Sequence, residues 1–267
     1  MTTRNSAGHD AAGSSETSSS ERALSAEHHP DRIRERLAQP EEHSYLGDAI
    51  LGGIDGGVTT FAVVSGAMGG GFSHLVIVVL GFANLLADGF SMAVSNYLGT
   101  KSERENAEEV RRTEQRHIEE HPEGEREEVR QIFAAKGFDG KILDEIVATI
   151  SEDRRTWIDT MMREEHGMRL VTPTPWRAAV ATLVAFILVG LVPLVPFLWP
   201  GIAMTSAFIA SAIATAVAFL GVGLVKGKVL HRSPVRSGLE TLLMGSGAAI
   251  VAYFVGHWLR QTFGSGI

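Results

Sequence analysis

Long apolar stretches alternate with short turns along most of the chain. Five stretches are dominated by apolar residues: 45–67, 75–98, 176–198, 202–225 and 236–259. Each is long enough to cross a bilayer as a helix, at about 1.5 Å per residue over roughly 30 Å of hydrocarbon. The pattern predicts an all-α, five-span helical membrane protein.

One long polar segment interrupts this pattern between the second and third spans. Within it, apolar residues recur at helical spacing, at Val129, Ile132, Phe133 and then at Ile142, Leu143, Ile146, Ile150. Such stripes are typical of helices that bury one face against each other. The second span should also continue as a polar helix up to Pro122. We therefore expect a helical-bundle insert between spans 2 and 3.

The composition divides the chain into four parts. Residues 1–42 are rich in Ser, Ala, Gly and Thr and should form a disordered tail with a short helix, without a cleaved signal peptide. Residues 43–100 hold spans 1 and 2, and residues 101–173 form the insert. Residues 174–262 hold spans 3–5, where Pro193 and Pro196 should kink the third.

Basic residues predict the orientation in the membrane. They cluster before the first span, in the insert, and between spans 4 and 5, whereas the turns at 68–74 and 199–201 have no Lys or Arg. The positive-inside rule then places the N-terminus and the insert in the cytosol. Five spans leave the C-terminus on the other side.

Charge and cysteine content restrict the ligands. Between Lys101 and Thr172 there are 13 basic and 19 acidic residues, so most of the net charge of −7 lies in the insert. This balance argues against nucleic acid and is compatible with cations. The chain has no cysteine, which excludes disulfides and thiolate metal sites. Metal ligands must therefore be carboxylate, imidazole, thioether or amide groups.

Acidic residues inside the spans are the first candidate for chemistry. Asp55 lies mid-span within GGIDGG, and the second span carries a polar stripe at four-residue spacing: Asn84, Asp88, Met92 and Asn96. Because the two helices run antiparallel, Asp55 and Asp88 should lie at similar depth. Intramembrane carboxylates normally face a partner or a hydrated path. The glycines offer a close-approach surface for a second copy; alternatively, they are packing residues beside an incidental acid.

The insert holds a second candidate set. Its members are spaced to share helix faces: Glu114 with His117, Glu125 with Glu128, and Met161 and Met162 with Glu165. Carboxylate, imidazole and thioether ligands suit Fe²⁺, Mn²⁺, Co²⁺ or Zn²⁺ better than Ca²⁺. The alternative is that the acids form solvated helix faces and the methionines form bundle core.

Four blocks carry a resemblance to a known family. They are DGGVTTFAVVSGA (55–67), ADGFSMAVSNYLGTKSE (87–103), WIDTMMREEHGM (157–168) and GLVPLVPF (190–197). Over residues 43–262 the chain resembles the vacuolar iron transporter family and looks like a bacterial-type member. The resemblance implies a transporter rather than an enzyme: a five-span homodimer that exchanges cytosolic divalent metal for protons along a path between subunits. It implies no permanently bound cofactor. The membrane would be the plasma (inner) membrane in a bacterium and the vacuolar membrane in a eukaryote.

The resemblance also implies a set of metal ligands. They are Asp55, Met92, Glu114, Glu125, Glu128, Met161, Met162 and Glu165. Two positions depart from plant members, which have glutamates where this chain has Asn84 and His117. Asp88, one turn after Asn84, is the candidate replacement for the first. The imidazole makes occupancy of the insert site depend on pH near its pKa.

Three functions are compatible with these residues. The leading hypothesis is proton-coupled export of Fe²⁺ or Mn²⁺, with divalent metal, protons, the bilayer and a second copy as partners. A rival is a membrane-anchored di-iron carboxylate ferroxidase or iron-storage module, because Glu114-x-x-His117 matches a di-iron helix pattern whose second copy only a dimer supplies. The third is a membrane-anchored metal sensor. The acids within the spans count against both rivals.

Overall fold

The computed structural model describes residues 25–38 and 44–264, and every regular element in them is helical. The helices are α1 (Pro30–Ala38), α2 (Leu46–Gly70), α3 (His74–Glu120), α4 (Pro122–Ala135), α5 (Gly140–Glu152), α6 (Arg154–Glu164), α7 (Pro175–Gly190), a 3-10 helix (Val195–Leu198), α8 (Met204–Val229) and α9 (Pro234–Phe263). The all-α prediction is confirmed for these residues. The disorder expected at the N-terminus falls mainly on residues 1–24, which lie outside them. The chain forms two compact units, and the second, from His43 onward, contains α2 to α9.

Among the described residues, four helices are long and apolar enough to cross a membrane: α2, α3, α8 and α9. The third predicted span is shorter, because α7 ends at Gly190 after 16 residues and the chain continues through a turn into the 3-10 helix. Pro193 and Pro196 lie in this region, and proline has no amide hydrogen to continue a helix. What the sequence predicts as a kink is therefore a helix end.

Helix α2 packs against α3, α7, α8 and α9. Its approach to α7 depends on glycine: a Cβ on Gly52 would lie 2.3 Å from the backbone oxygen of Thr182, and one on Gly56 2.3 Å from that of Phe186. Glycine removes this clash and lets the two backbones touch, as small residues do in membrane bundles.

The remaining two glycines of this cluster also face inward. A Cβ on Gly53 would lie 3.1 Å from Val189 of α7, and one on Gly57 2.7 Å from Phe219 of α8. All four glycines are buried within the single chain. The expectation that they form a surface for a second copy is therefore wrong, because neighbouring helices already occupy it.

Helix α3 joins the membrane part to the insert. Its 47 residues extend about 70 Å without interruption. The first half of the helix is apolar, and the second half belongs to the insert. It ends at Glu120, before Pro122, as predicted. Proline at the next helical position starts α4 and cannot extend α3.

The insert has its own apolar core. Helices α4, α5 and α6 pack with the end of α3 around a buried cluster: Val129, Leu143, Val147, Trp157 and Met161. The Asp153 side chain caps α6 by accepting from the amide of Thr156 at 2.9 Å. Arg111 of α3 pairs with Asp159 of α6 at 2.9 Å. The two helices predicted from apolar spacing are confirmed as α4 and α5, and α6 completes the bundle.

Candidate metal site

Three potential ligands from distant parts of the chain meet in the insert. The Glu114 carboxylate on α3 lies 3.0 Å from Nε2 of His166, and the Glu165 carboxylate lies 3.7 Å from the same nitrogen. One ligand atom from each of the three residues lies within 4.8 Å of the other two. Two carboxylates and an imidazole at this spacing can bind one cation together.

Two carboxylates at this site are buried without their full set of partners. Glu114 is 2% exposed and Glu125 is 4% exposed. One oxygen of each, Oε2, has no hydrogen-bond donor among the described residues. Because an unsatisfied buried polar atom costs free energy, a cation bound at this position would supply what both oxygens lack.

Burial and like charge act together on the acids of the site. Burial raises the pKa of Glu125 to about 7, with further contributions from the nearby Glu114, Glu128 and Glu165 carboxylates. Partial burial also raises the pKa of Glu165, while the imidazoles of His166 and His117 act in the opposite direction. The site therefore holds a proton readily near neutral pH, and a metal ion must displace it.

The other candidates in the insert divide into two groups. His117 lies beside the cluster, with Nδ1 3.3 Å from Oε1 of Glu125, whereas Glu128 is exposed and acts on the cluster through its charge. Met161 and Met162 are both fully buried, and Met161 belongs to the apolar core. Met161 therefore has the packing role that the sequence left open as an alternative.

His166 was missed from the sequence, although it directly follows Glu165. Helix α6 ends at Glu164, and the backbone then reverses at Gly167, whose φ is +62°. The amide of Met168 donates to the carbonyl of Met162 at 2.8 Å and stabilises this reversal. The turn brings His166 against α3. The signal in the sequence is the histidine beside two glutamates, since imidazole and carboxylate are the usual ligands of first-row metals.

The acids of the spans lie near each other but in different surroundings. Asp55 is partly buried, Asp88 is exposed on the single chain, and the two are close enough to interact electrostatically. Asn84 has its amide nitrogen buried with no acceptor among the described residues, and Met92 packs against the apolar core. Residues four apart are displaced by about 40° around a helix, so the polar stripe drifts across the face of α3.

The drift takes Asn96 into contact with two other helices. Its amide nitrogen donates to Oδ1 of Asp48 on α2 at 2.9 Å and to Oγ1 of Thr182 on α7 at 2.7 Å. The hydroxyl of Thr100 donates to the side-chain oxygen Oδ1 of Asn96 at 3.3 Å. This polar network ties three helices together at the end of the spans nearest the insert. Asp48, one of only three acids in residues 45–100, was not singled out from the sequence.

Known proteins match most of this chain. The model of the VIT family matches residues 46–257. The vacuolar iron transporter of Centaurea cyanus is 34% identical over 225 residues, which is 81% of this chain and 91% of that protein. Vacuolar iron transporter 1 of Arabidopsis thaliana is 32% identical over 80% of this chain and 87% of its own length. The vacuolar iron transporter of Toxoplasma gondii is 29% identical over 92% of this chain and 86% of its own. The matched range contains α2 to α8 and most of α9, and the Centaurea and Arabidopsis relatives are both more than 30% identical over most of this chain. The chain therefore belongs to the VIT family.

Proposed function

We propose that this transporter moves Fe²⁺ or Mn²⁺ out of the cytosol in exchange for protons. The observation that carries the proposal is the continuity of α3, which holds Asp88 within a span and Glu114 within the insert cluster. The two residues lie roughly 39 Å apart along one helix, at about 1.5 Å per residue. A helix that bears intramembrane acid at one end and buried acid at the other is suited to pass cations from one to the other.

The choice of cargo rests on ligand chemistry and on the relatives. The insert cluster offers carboxylate oxygens and imidazole nitrogens, a set that suits Fe²⁺ and Mn²⁺ and also accepts Co²⁺ and Zn²⁺. The relatives are named for iron. The insert would collect the ion at this cluster, and the bound ion would displace protons from the carboxyl groups.

The coupling to protons follows from the two span acids. Asp55 and Asp88 repel each other when both are charged, so a dication between them or a proton on one of them relieves the repulsion. Alternate occupancy by metal and proton is the exchange that an antiporter needs. The path outward from the insert to these acids passes the Asp48–Asn96 hydrogen bond on the same helices.

A second copy of the chain would complete the path. Asp88 is exposed on a helix that crosses the membrane, and lipid is a poor neighbour for a carboxylate. Ala87, Ser91 and Ser95 lie beside it at four-residue spacing and are also exposed. Small residues at this spacing allow helices to pack closely. We therefore assign this α3 face, rather than the glycines of α2, to a homodimer interface. In the dimer each chain would have five spans, with α7 and its 3-10 continuation as the third.

The ferroxidase alternative gains little support from the insert. Its Glu114-x-x-His117 pattern requires both side chains to bind one di-iron pair. Instead, the nearest partner of Glu114 is His166 and that of His117 is Glu125. Oxidation of bound Fe²⁺ without transport would still be its experimental signature.

The experiment is metal uptake by vesicles that contain the purified protein. Vesicles with an acidic interior should accumulate Fe²⁺ or Mn²⁺ supplied outside to molecules whose insert faces outward, and the lumen should become more alkaline as metal enters. Collapsing the proton gradient with an ionophore should stop accumulation, and vesicles without protein give the baseline. Uptake at the same rate and to the same extent after the gradient is collapsed would contradict the antiport mechanism. Oxidation of Fe²⁺ without uptake would favour the alternative.

A further inference from the structure

A basic cavity lies at the turn between α8 and α9. It measures about 620 Å³ and is lined by residues from the end of α8, the turn and the first two turns of α9: Lys226, Leu230, Arg232, Ser233, Arg236, Ser237 and Glu240. It is separate from the insert cluster and from the acids of the spans. No part of the metal pathway described above uses it.

The charges that line the cavity are mostly uncompensated. Among the described residues of its wall, Glu240 is the single acid, and it pairs with Arg236 at 3.5 Å. Lys226 and Arg232 have no acidic partner within the described part of the chain. Two basic side chains without an acidic partner among the described residues therefore share one cavity, an arrangement that favours an anion with several oxygens.

The backbone adds to this positive potential. Helix α9 has 30 residues, and its N-cap, Ser233, makes no side-chain hydrogen bond to the first turn. Pro234, the first residue of the helix, has no amide hydrogen, so the amides of Val235 and Arg236 are the donors of that turn without helical partners among the described residues. The helix dipole places partial positive charge there. Because Ser233, Arg236 and Ser237 line the cavity, this helix end faces the same space as the two cations.

Close backbone contact holds the walls in place. A Cβ on Gly223 would lie 2.5 Å from Cα of Gly238, and one on Gly227 would lie 2.6 Å from Cα of Pro234. The two helices therefore touch where the cavity begins. The turn closes through the amide of Arg232, which donates to the carbonyl of Gly227 at 2.9 Å. The cations are presented by a fixed turn rather than by a loose loop.

The surface around the cavity is apolar. Exposed apolar side chains lie next to the wall residues in sequence on both helices: Val225, Val229, Val235 and Leu239. Helices α8 and α9 are both candidate spans, so their junction lies where hydrocarbon gives way to water. A ligand here meets cations at one end and a bare hydrocarbon surface at the other.

We propose that this cavity binds the phosphate-bearing headgroup of an anionic phospholipid, whose acyl chains lie along α8 and α9. The phosphate would lie between Lys226 and Arg232 and accept from the first free amides of α9, those of Val235 and Arg236. Free phosphate shares the headgroup chemistry but leaves the apolar flank uncovered. The proposal requires that α8 and α9 cross the membrane and is independent of which metal is carried.

Lipid retention by the full-length protein tests this proposal. The protein is purified in mild detergent, given phosphatidylglycerol or phosphatidylcholine with identical acyl chains, and examined by native mass spectrometry. Wild type should retain phosphatidylglycerol at least about fivefold more than phosphatidylcholine, and Lys226→Gln with Arg232→Gln should lower that retention about tenfold. Lys228→Gln is the matched control, because Lys228 is a basic residue at the same helix end but outside the cavity wall. It should change retention less than about twofold.

Several outcomes would overturn the proposal. Equal retention of both lipids by wild type would show that the cavity does not select an anionic headgroup. If Lys228→Gln lost as much phosphatidylglycerol as the double variant, the result would show only general attraction to a basic surface. Displacement of phosphatidylglycerol by millimolar inorganic phosphate alone would assign the cavity to a free anion. Arg232→Lys, which keeps the charge, should retain the lipid even if the double variant unfolds, and failure to do so in a folded protein would contradict the assignment.

Discussion

Oε1 of Glu114 and Nε2 of His166 lie 3.0 Å apart, although the two residues are 52 positions apart in the chain. The contact joins the membrane-connected helix α3 to the turn that follows α6. Because Oε2 of Glu114 has no donor of its own, the pair has capacity for a further positive ligand. The insert cluster is therefore built by tertiary packing, and each of its candidate ligands can be tested separately.

His166→Gln should weaken metal binding by the insert about tenfold or more, since it removes the candidate nitrogen ligand while leaving the turn intact. The measurement is a calorimetric titration of the full-length protein in detergent with Mn²⁺, which does not oxidise readily under these conditions. His121→Gln is the control, because His121 is exposed between α3 and α4 and belongs to no described metal cluster. Equal affinity of the two variants would exclude His166 as a ligand.

Metal affinity should fall as pH decreases through about 7, the pKa to which burial raises Glu125. Below this pH the carboxyl carries a proton that the metal must displace, and above it the carboxylate is free. Titrations over a pH series should therefore show a rise in affinity that levels off above neutrality, with proton release measured in weakly buffered solution. Glu125→Gln should bind more weakly and lose the part of the pH dependence that belongs to this group. Glu120→Gln, at an exposed position, should keep it.

The same shift predicts how stability depends on pH in the absence of metal. The pKa of Glu125 is higher in the folded protein, about 7, than its ordinary value of 4.5. Between these values the folded state binds more protons than the unfolded state, so stability should fall as pH rises through this window. Thermal unfolding of metal-free protein should show this decline in wild type and a flatter profile in Glu125→Gln. A wild-type profile that rises over this window, with no change in the variant, would contradict the shift.

The sequence predicts α4 and α5 of the insert well, because both have a local apolar stripe. Gly137 has a φ of +93° and lies two residues after the last residue of α4. It does not predict that Glu114 and Glu125 are buried, since glutamates on a polar helix are normally solvated. The meeting of His166 with Glu114 depends on a reversal at Gly167 and on packing of α6 against α3. Gly167 is a local signal for a helix end, but the packing of the turn against Glu114 has no signature in the local sequence.

The same distinction applies to the spans. Hydropathy identifies α2 as a membrane helix but does not say which of its faces meets which neighbour. From the sequence alone, the glycines at 52, 53, 56 and 57 could pack against a second copy or against other helices of the same chain. In the structure, α7 and α8 pack against them. The acids are different, because their cost in a membrane is a property of the residue, and Asp55 and Asp88 could be singled out directly.

A cysteine at Ser91 should crosslink two copies in the membrane, because the exposed α3 face beside Asp88 is the proposed interface. The native chain has no cysteine, so any disulfide-linked dimer arises from the introduced residue. Ile213→Cys on α8 is the control, since it is 62% exposed but lies on another helix. Oxidation followed by non-reducing electrophoresis should give a dimer with Ser91→Cys and mainly monomer with Ile213→Cys. The reverse result would assign the interface elsewhere.

Asp88→Asn should abolish proton-coupled transport while leaving metal binding by the insert unchanged. Without the Asp88 carboxylate, Asp55 alone must bind both the metal and the proton. The second negative charge, on which the alternate binding of metal and proton depends, is then absent. Asn84→Glu in the same background should restore part of the activity, because it returns a carboxylate to α3 about 6 Å away, one turn toward the start of the helix. Asp139→Asn, at an exposed position before α5, is the matched control and should transport normally. Vesicle uptake under a proton gradient gives the rates, and titration of the same proteins gives the binding. Wild-type rate and pH dependence in Asp88→Asn would mean that Asp55 works with a different partner, and that the exposed carboxylate of α3 takes no part in transport.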